Sequence, residues 1–419
     1  MIETIYKYSP EIVQNWILTL KSSHTFYLKF GAIPFLRPLH KIVSQIKQDL
    51  IVFNDADVMN RAKTFIESAI NDTVYYSNKK NIYSAYTEGK KDFQSLPILE
   101  KKNLKMNGGD FVSKLCKSGN SYRYKTSGTT GAPLTGYISK TALRARFNIV
   151  WQSMAYCGID YSRKVARFSG SEIAENGNVY RKDYFSGHLY FSIYHISEKT
   201  IEAYHHAINK NKVEILEGYP STIYSLAVLF KRNGLNLPKV KHVITTAEKL
   251  LSHQRELIET VFNTTVFDYY GSSEGSSYIF NCKYGKYHNV NKLSFLEVVD
   301  ENNREVLFGT EGKMLVTSFS TDFTPLVRYD IGDRCKLSAN QACGCGIGGL
   351  VIDELIGRSD DEYTSPDGKV FSRFSLCLKF LPQDVVRSKL FLKNYSYNVK
   401  VLLELPNSKE KESLDFKPF

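Results

Sequence analysis

The sequence has no apolar run that approaches the roughly 20 residues a membrane-spanning helix needs. Its first segment, MIETIYKYSPEIVQNWILTL, also has no basic stretch followed by an apolar one, as a secretory signal would. Cysteine is scarce: seven residues in 419, an odd count that does not favour a disulfide framework. We therefore expect a cytoplasmic protein without a membrane span.

Internal repeats and low-complexity tracts are also absent, and the basic residues form no stripe interleaved with aromatics. Nucleic acid is therefore not an expected partner, and the net charge of +12 indicates a solvated basic surface. The 28 Tyr and 25 Phe exclude a disordered chain. A composition of 42% hydrophobic and 23% charged residues is typical of a globular protein with one large domain and a smaller one.

The spacing of apolar residues predicts an α/β fold with a helical lead-in. Apolar positions in residues 1–70 recur at helical spacing. After residue 122, strand-like and helical runs alternate, which predicts parallel βαβ units. From 290 to 337 the pattern changes to hairpins. The alternating elements are strands at Val165–Phe168, Val240–Thr245 and Thr265–Tyr269 and helices at Ile201–Ile208, Ser221–Asn233 and Leu250–Phe262.

The most informative stretch is a loop of glycines and hydroxyl residues, YKTSGTTGAP, at 124–133. Small residues let the backbone approach an anion closely, and the N–H groups of such a loop can cradle phosphate. It is not a Walker-type P-loop, because no Gly-Lys-Ser/Thr follows at the required spacing. A surface turn is the alternative for a generic loop of this composition.

This loop resembles the TSGTTGxP signature of the adenylate-forming superfamily, and further motifs follow in that family's order. They are LPILEKKNL at 96–104, TTAE at 245–248, DYYGSSE at 268–274, RYDIGD at 328–333 and GRSDD at 357–361. The resemblance covers about residues 95–375 and is closest to the phenylacetate–coenzyme A ligase group. The SPDGK turn at 365–369 resembles a turn in the branch of this family that is found with capsular and surface polysaccharide genes.

The resemblance implies a role for each motif. Ser273 and Thr129 would contact reacting phosphate, and Glu274 would be catalytic by holding Mg²⁺. Asp333 and Arg358 would contact the ribose. The other nucleotide-binding residues implied are Thr126, Ser127, Gly128, Thr130 and Gly131 at the phosphates, Ala247, Glu248, Tyr269, Tyr270 and Gly271 around the adenine, and Asp360 at the hinge between domains.

The family also implies a division into domains. A large AMP-binding domain would span 1–356 with its helical lead-in at 1–95, followed by a hinge at 357–361 and a shortened α+β domain at 362–419. The family has a lysine near the second glycine of the loop, where this chain has Ala132 and Leu134; Lys125 is a candidate substitute. None of the tail lysines, Lys409, Lys411 and Lys417, sits in the family's pattern for its catalytic lysine. We therefore expect a frayed, polar tail and slow or conditional adenylation.

A second constellation predicts a metal site. Five residues separate Cys282 from His288, and Cys343 and Cys345 follow on a separate hairpin. Two such pairs match a closed tetrahedral Zn²⁺ site, and a similar pattern in the phenylacetate–coenzyme A ligase group supports a structural zinc. The remaining cysteines, interpreted as packing residues, are Cys116, Cys157, Cys335 and Cys377.

The predicted function is activation of a small carboxylic acid with ATP to an acyl-AMP, which is passed to coenzyme A. One alternative is a stand-alone adenylation protein that loads an acyl carrier protein or an amine alongside polysaccharide-assembly proteins. Another is a non-catalytic nucleotide-binding homologue. The segments expected near the acid are 168–170 and 219–221. The neighbouring aromatic residues either shape the acid pocket or belong to the core: Tyr184, Phe185, Tyr190 and Phe191.

Overall fold

The computed structural model describes Tyr6, residues 9–31, 56–125, 134–170, 178–237 and 239–357, and the strands at 362–364, 370–372, 387–392, 399–404 and 411–416. The chain forms two compact units, Met1–Ile356 and Gly357–Phe419. Within the described ranges, no helix is both long enough and apolar enough to cross a bilayer.

The helices of the first unit begin and end where the local sequence provides signals. The first ends at Gly31, whose φ of +68° suits glycine, and the sixth begins after Ser139, whose hydroxyl accepts a hydrogen bond from the Ala142 amide. The helices are α1 Glu11–Phe30, α2 Ala56–Asp72, α3 Val74–Ser77, α4 Lys80–Thr87, α5 Lys101–Met106, α6 Lys140–Tyr156, α7 Ile201–Lys210, α8 Pro220–Arg232 and α9 Ser252–Phe262, with a 3-10 turn at Phe93–Ser95.

The first unit contains a hairpin and one large mixed sheet. The hairpin is β1 Ser121–Lys125 with β2 Thr135–Ser139. The strands of the large sheet, in chain order, are β3 Val165–Ser169, β4 Tyr180–Lys182, β5 Leu189–Ser192, β6 Ile215–Gly218, β7 His242–Thr246, β8 Val266–Gly271, β9 Tyr278–Asn281, β10 Tyr287–Asn289, β11 Ser294–Val299, β12 Glu311–Ser318, β13 Leu326–Leu337 and β14 Val351–Gly357.

The predicted α/β fold class is confirmed by the order of these strands, β11-β12-β13-β14-β10-β9-β8-β7-β6-β3-β5-β4. β5, β3, β6, β7 and β8 run parallel, as the alternation of strands and helices predicts, and β8 pairs antiparallel with β9. The predicted hairpins of 290–337 form the antiparallel strands β11, β12 and β13.

Both faces of the parallel strands are covered by helices. Because side chains alternate along a strand, Ala166 and Phe168 face a core shared with α7, α8 and α9. Val165, together with Ile215 of β6, faces the opposite core, which contains residues of α6 and is packed by Phe26 and Phe30 of α1. Such a sheet, with helices packed on both faces, is the arrangement expected for parallel strands that are buried on both sides.

The helical lead-in packs on the antiparallel part of the sheet. Ile66 of α2 and Tyr76 of α3 are fully buried in one cluster with Met314 of β12 and Tyr329 of β13. Arg328, beside Tyr329, is also buried and its guanidinium contacts the Glu297 carboxylate at 2.9 Å. Its Nη1 donates to the Gln94 carbonyl at 2.6 Å, so a salt-bridged arginine fixes the lead-in to β13.

In the second unit, the described residues are strands. β15 Glu362–Thr364 pairs with β16 Val370–Ser372, and β17 Arg387–Leu392, β18 Val399–Glu404 and β19 Lys411–Phe416 form an antiparallel sheet. The expectation of a frayed tail is wrong for β19. All six of its residues pair with β18, from Lys411 opposite Glu404 to Phe416 opposite Val399. Lys409 and Lys417 lie outside the described residues.

Candidate active site

In sequence, the glycine and hydroxyl segment lies between β1 and β2, which pair as a hairpin with Lys125 opposite Thr135. Its predicted phosphate contacts, Thr126, Ser127, Gly128, Thr129, Thr130 and Gly131, lie outside the described residues, as do Arg358 and Asp360. The strands below the loop are well anchored. The Ser139 amide donates to Asp322 Oδ1 at 2.8 Å, and a Cβ on Gly136 would lie 2.2 Å from the Tyr124 ring. A side chain at position 136 would therefore displace the Tyr124 ring.

Two of the motifs, far apart in the chain, meet through a pair of hydrogen bonds. The hydroxyl of Tyr270, in YYGSSE, donates to Asp333 Oδ2 at 2.6 Å, and Asp333 belongs to RYDIGD. The hydroxyl of Tyr329, in RYDIGD, donates to Glu274 Oε1 at 3.2 Å. Each motif thus positions the acidic residue of the other. The structure brings the predicted adenine, ribose and magnesium residues into one site.

Lys101 is a residue of this site that sequence reasoning missed. Its Nζ lies 3.8 Å from Glu274 Oε1, and the Glu274 side chain is only 6% exposed. Lys101 opens α5 in the LPILEKKNL segment, and a β-bridge pairs Leu99 with Tyr329 just before it. The Leu99 amide donates to the Arg328 carbonyl at 3.0 Å. The sequence could have identified Lys101 through the lysine of the LPxxxKxxL pattern. The bridge between Leu99 and Tyr329 holds this segment against the strand that carries RYDIGD.

Arg146 of α6 is a second residue that sequence reasoning did not identify. Gly275, which follows Glu274, has a φ of +69°, and a Cβ there would lie 1.5 Å from Arg146 Nη1. The guanidinium therefore lies directly against the backbone of YGSSEG, and only glycine leaves room for it. Burial lowers the pKa of Arg146, which nevertheless remains a cation at neutral pH.

The turn predicted to lie near the adenine follows β7. Its backbone conformation is strained, which suits a close approach of the backbone to the nucleotide. Ala247 is exposed and has a φ of +69°, a region that favours glycine. Glu248 Oε2 accepts a hydrogen bond from the Ser221 amide at 3.2 Å, at the start of α8. This bond connects the adenine turn to the segment 219–221 predicted to lie near the acid.

The strand next to this turn is held by a buried carboxylate. Asp268 of β8 accepts hydrogen bonds from Thr245 Oγ1 at 2.6 Å and from the Tyr287 hydroxyl at 2.7 Å. Burial raises the pKa of Asp268, while these two hydrogen bonds lower it. Further along β8, Tyr269 and Tyr270 are partly buried, and Gly271 and Ser273 are exposed at the strand's carboxyl end. Carboxyl ends of parallel strands are the usual ligand-binding edge of such sheets.

The four predicted metal ligands come together in a separate place. Their ligand atoms all lie within 4.8 Å of one another. The Sγ atoms of Cys282 and Cys343 are 3.8 Å apart, and Cys345 Sγ is 3.3 Å from His288 Nε2. Tetrahedral Zn²⁺ would require about 3.8 Å between sulfurs and about 3.6 Å between sulfur and nitrogen. The donor set therefore fits zinc.

The zinc candidate links three parts of the sheet. Cys282 follows β9, His288 lies in β10, and the other two ligands precede β14. Burial lowers the pKa of His288 to about 4, which keeps the imidazole neutral, as a metal ligand must be. The Ile347 amide donates to Cys345 Sγ at 3.3 Å. All four positions are supplied by protein, an arrangement typical of structural sites.

No protein-family model matches the chain. The chain is 24% identical to Protein CapK of Staphylococcus aureus over 424 residues, covering 99% of this chain and 91% of CapK. It is 30% identical to an indoleacetate–lysine synthetase of Pseudomonas savastanoi over 137 residues, 32% of each chain.

Solved structures of 2-hydroxyisobutyryl-CoA ligase are similar in fold. One, in complex with 2-HIB-AMP and CoA, has a TM-score of 0.61 and 19% identity and covers 84% of this chain and 78% of the ligase. Another, in the postadenylation state, has a TM-score of 0.59 and 16% identity, with the same coverage of both chains. The resemblance predicted from the motifs is confirmed: the chain has the fold of adenylate-forming ligases and is similar to CapK over almost its entire length.

Proposed function

We propose that this chain activates a carboxylic acid with ATP, releasing pyrophosphate, and transfers the acyl group from the acyl-AMP to coenzyme A. The observation that carries the proposal is the pairing of Tyr270 with Asp333 and of Tyr329 with Glu274. These bonds join the motif that contains Glu274, the proposed magnesium ligand, to the motif that contains Asp333, the proposed ribose contact. The 2-hydroxyisobutyryl-CoA ligase structures that share the fold contain an acyl-AMP and CoA.

The chemistry fits the charges of the site. A carboxylate oxygen attacks the α-phosphorus and pyrophosphate leaves, so two anions must be brought together. Such a step requires cations and N–H donors rather than a protein nucleophile. Lys101 supplies positive charge beside Glu274, Arg146 supplies it beside Gly275, and Ser273, which is exposed, would donate its hydroxyl to the phosphate. The thiol of coenzyme A then attacks the acyl carbonyl and AMP leaves.

Glu274 suits the magnesium ion that ATP chemistry employs. Mg²⁺ keeps several waters and binds substrate phosphates, so one carboxylate from the protein suffices. Lys101 balances the charge of Glu274 in the protein without nucleotide. When bound, the ion would neutralise phosphate charge, and the Tyr329 hydroxyl would keep the carboxylate oriented.

The zinc at Cys282, His288, Cys343 and Cys345 is proposed to be structural.

The decisive experiment is ATP–pyrophosphate exchange across a panel of carboxylic acids, followed by a thioester assay with coenzyme A. We expect exchange that depends on both Mg²⁺ and one class of acid, and thioester formation with that same acid. ATP binding without exchange for any acid would contradict the proposal and would instead favour the non-catalytic homologue.

A second candidate is transfer to an amine or to an acyl carrier protein. The 30% identity to an indoleacetate–lysine synthetase favours an amine acceptor such as lysine, although it covers only 137 residues. The carrier protein and the polysaccharide-assembly partners rest on the motif resemblance alone. Mass spectrometry of reactions that contain coenzyme A, lysine and phosphopantetheinylated carrier protein together would identify the acceptor by which product gains the acyl mass.

A further inference from the structure

One face of the parallel strands changes from apolar to charged toward their carboxyl ends. Val165 of β3 and Ile215 of β6 lie in the core beneath α1 and α6. Two residues further along the same strands, and therefore on the same face, are Arg167 and Glu217, which are paired in register. Arg167 Nε lies 3.1 Å from Glu217 Oε2. A salt bridge thus lies where a further apolar layer would complete a core.

The helices above this face bring two more cations. Lys29 of α1 has its Nζ 4.1 Å from the centre of the Phe147 ring, and the Arg146 guanidinium lies 5.3 Å from the same ring. Throughout the described ranges, neither Lys29 nor Arg146 has a carboxylate within salt-bridge distance. Burial, followed by the charge of Arg167, lowers the pKa of Lys29 to about 8, so at pH 7 it is mainly a cation.

These charged groups line a space that solvent reaches. The side chains of Arg167 and Glu217 remain 29% and 17% exposed, although both belong to central strands with helices on each face. Tyr190 of β5, opposite Arg167, has its ring 5.7 Å from that guanidinium and is also partly exposed. Groups that lie deep in a sheet and still contact solvent form the wall of a pocket.

The charges can be divided by position. Arg146 contacts Gly275 of YGSSEG, next to the expected phosphate, and so belongs to the reacting end. Lys29, Arg167 and Glu217 together carry two positive charges and one negative charge, which leaves one positive charge uncompensated. An uncompensated buried charge is costly, and a ligand anion would relieve the cost.

We infer that this pocket binds the far end of the acid substrate, and that the substrate carries a second anionic group, a carboxylate or a phosphate, held by Lys29 and Arg167. The inference rests on the proposed function, because it assumes that the reacting carboxylate lies at YGSSEG. A neutral aliphatic or aromatic tail would leave the charges without a partner, and a hydrophobic pocket would serve such a tail better.

The test is calorimetric binding of matched acids to the full chain saturated with AMP. The pairs are succinate with butanoate, glutarate with pentanoate, adipate with hexanoate and, for the phosphate case, 3-phosphoglycerate with glycerate. We expect at least one doubly anionic acid to bind about tenfold or more tightly than its partner, the effect of one charge-assisted hydrogen bond. Lys29→Met should reduce that ratio to below about threefold without changing AMP affinity.

The matched control is Lys21→Met, since Lys21 is exposed on the same helix and should leave the ratio unchanged. In the double variant Arg167→Met with Glu217→Gln, which removes both members of the salt bridge, the preference should also be lost. The inference is overturned if no doubly anionic acid binds more tightly than its partner, if neither acid of any pair binds, or if Lys29→Met weakens both acids equally. Preferential binding without pyrophosphate exchange would contradict only the proposed function.

Discussion

Glu274 is the residue on which magnesium-dependent chemistry is expected to depend. We predict that Glu274→Gln reduces ATP–pyrophosphate exchange by about 10²–10³-fold, the range for loss of one stabilising group at a reacting centre. The amide keeps the size of the side chain and can still accept from the Tyr329 hydroxyl, so the fold should be retained.

Two controls define this prediction. Glu256→Gln removes an exposed carboxylate on α9 and should leave exchange unchanged. Circular dichroism and melting temperature should match the unaltered protein for both variants. Full exchange in Glu274→Gln would show that the carboxylate has no role in the reaction.

Asp333 is the residue whose substitution is expected to change the affinity for ATP. A carboxylate that accepts ribose hydroxyls makes charge-assisted bonds worth about 1.5–3 kcal/mol each, so Asp333→Ala should weaken ATP binding by tenfold or more. Tyr270→Phe is the matched variant, since it removes only the hydroxyl that donates to Asp333. It should weaken ATP binding less than Asp333→Ala does. Titration calorimetry measures both, and unchanged ATP affinity in Asp333→Ala would contradict the ribose assignment.

At the scale of elements, the four predicted zinc ligands connect β9, β10 and the segment before β14. We predict one tightly bound zinc per chain in protein purified without chelator, measured by atomic emission. Cys343→Ser should lose the metal and lower the melting temperature by about 5 °C, because a structural zinc site contributes several kcal/mol. Activity at low temperature should persist, since Tyr270, Glu274 and Asp333 are not among the ligands.

The comparison variant for the zinc site is Cys335→Ser. Cys335 is buried in β13 in the core with Tyr329 and is not a member of the four-residue cluster. It should retain zinc while still losing some stability through its buried hydroxyl. If Cys343→Ser loses catalysis at a temperature where its melting curve is unchanged, the structural role is wrong.

At the scale of the whole molecule, His188 makes stability depend on pH. Burial lowers its pKa to about 3, and the nearby Arg167 lowers it as well. Below about pH 6.5 the unfolded chain binds a proton here that the folded chain does not. The free energy of unfolding should therefore fall by about 1.4 kcal/mol for each pH unit between 6.5 and 3.

Urea denaturation at several pH values tests this dependence. His188→Gln should reduce the slope, since glutamine does not titrate. His253→Gln, which changes an exposed histidine on α9, should leave it unchanged. Equal slopes in the original protein and in His188→Gln would show that His188 does not govern acid stability.

Much of the fold was predictable because its signals are local. The strand predicted at Thr265–Tyr269 forms as β8, Val266–Gly271, and the helix predicted at Leu250–Phe262 forms as α9, Ser252–Phe262. The tail is the exception, since β19 was predicted to be frayed from its polar composition. A strand can be polar at every second position and still pair, because backbone hydrogen bonds join the strands and successive residues belong to opposite faces of the sheet.

The sequence alone determined the motifs, their order and the four residues of the predicted metal site, because each depends on residue type and short spacing. Only the tertiary structure showed that Lys101 lies beside Glu274, that Arg146 lies against Gly275, and that Lys29 lies over the Phe147 ring. These contacts depend on the order of strands in the sheet and on which helices cover each face. Local periodicity predicts that a strand forms, but it does not predict which other strand pairs with it.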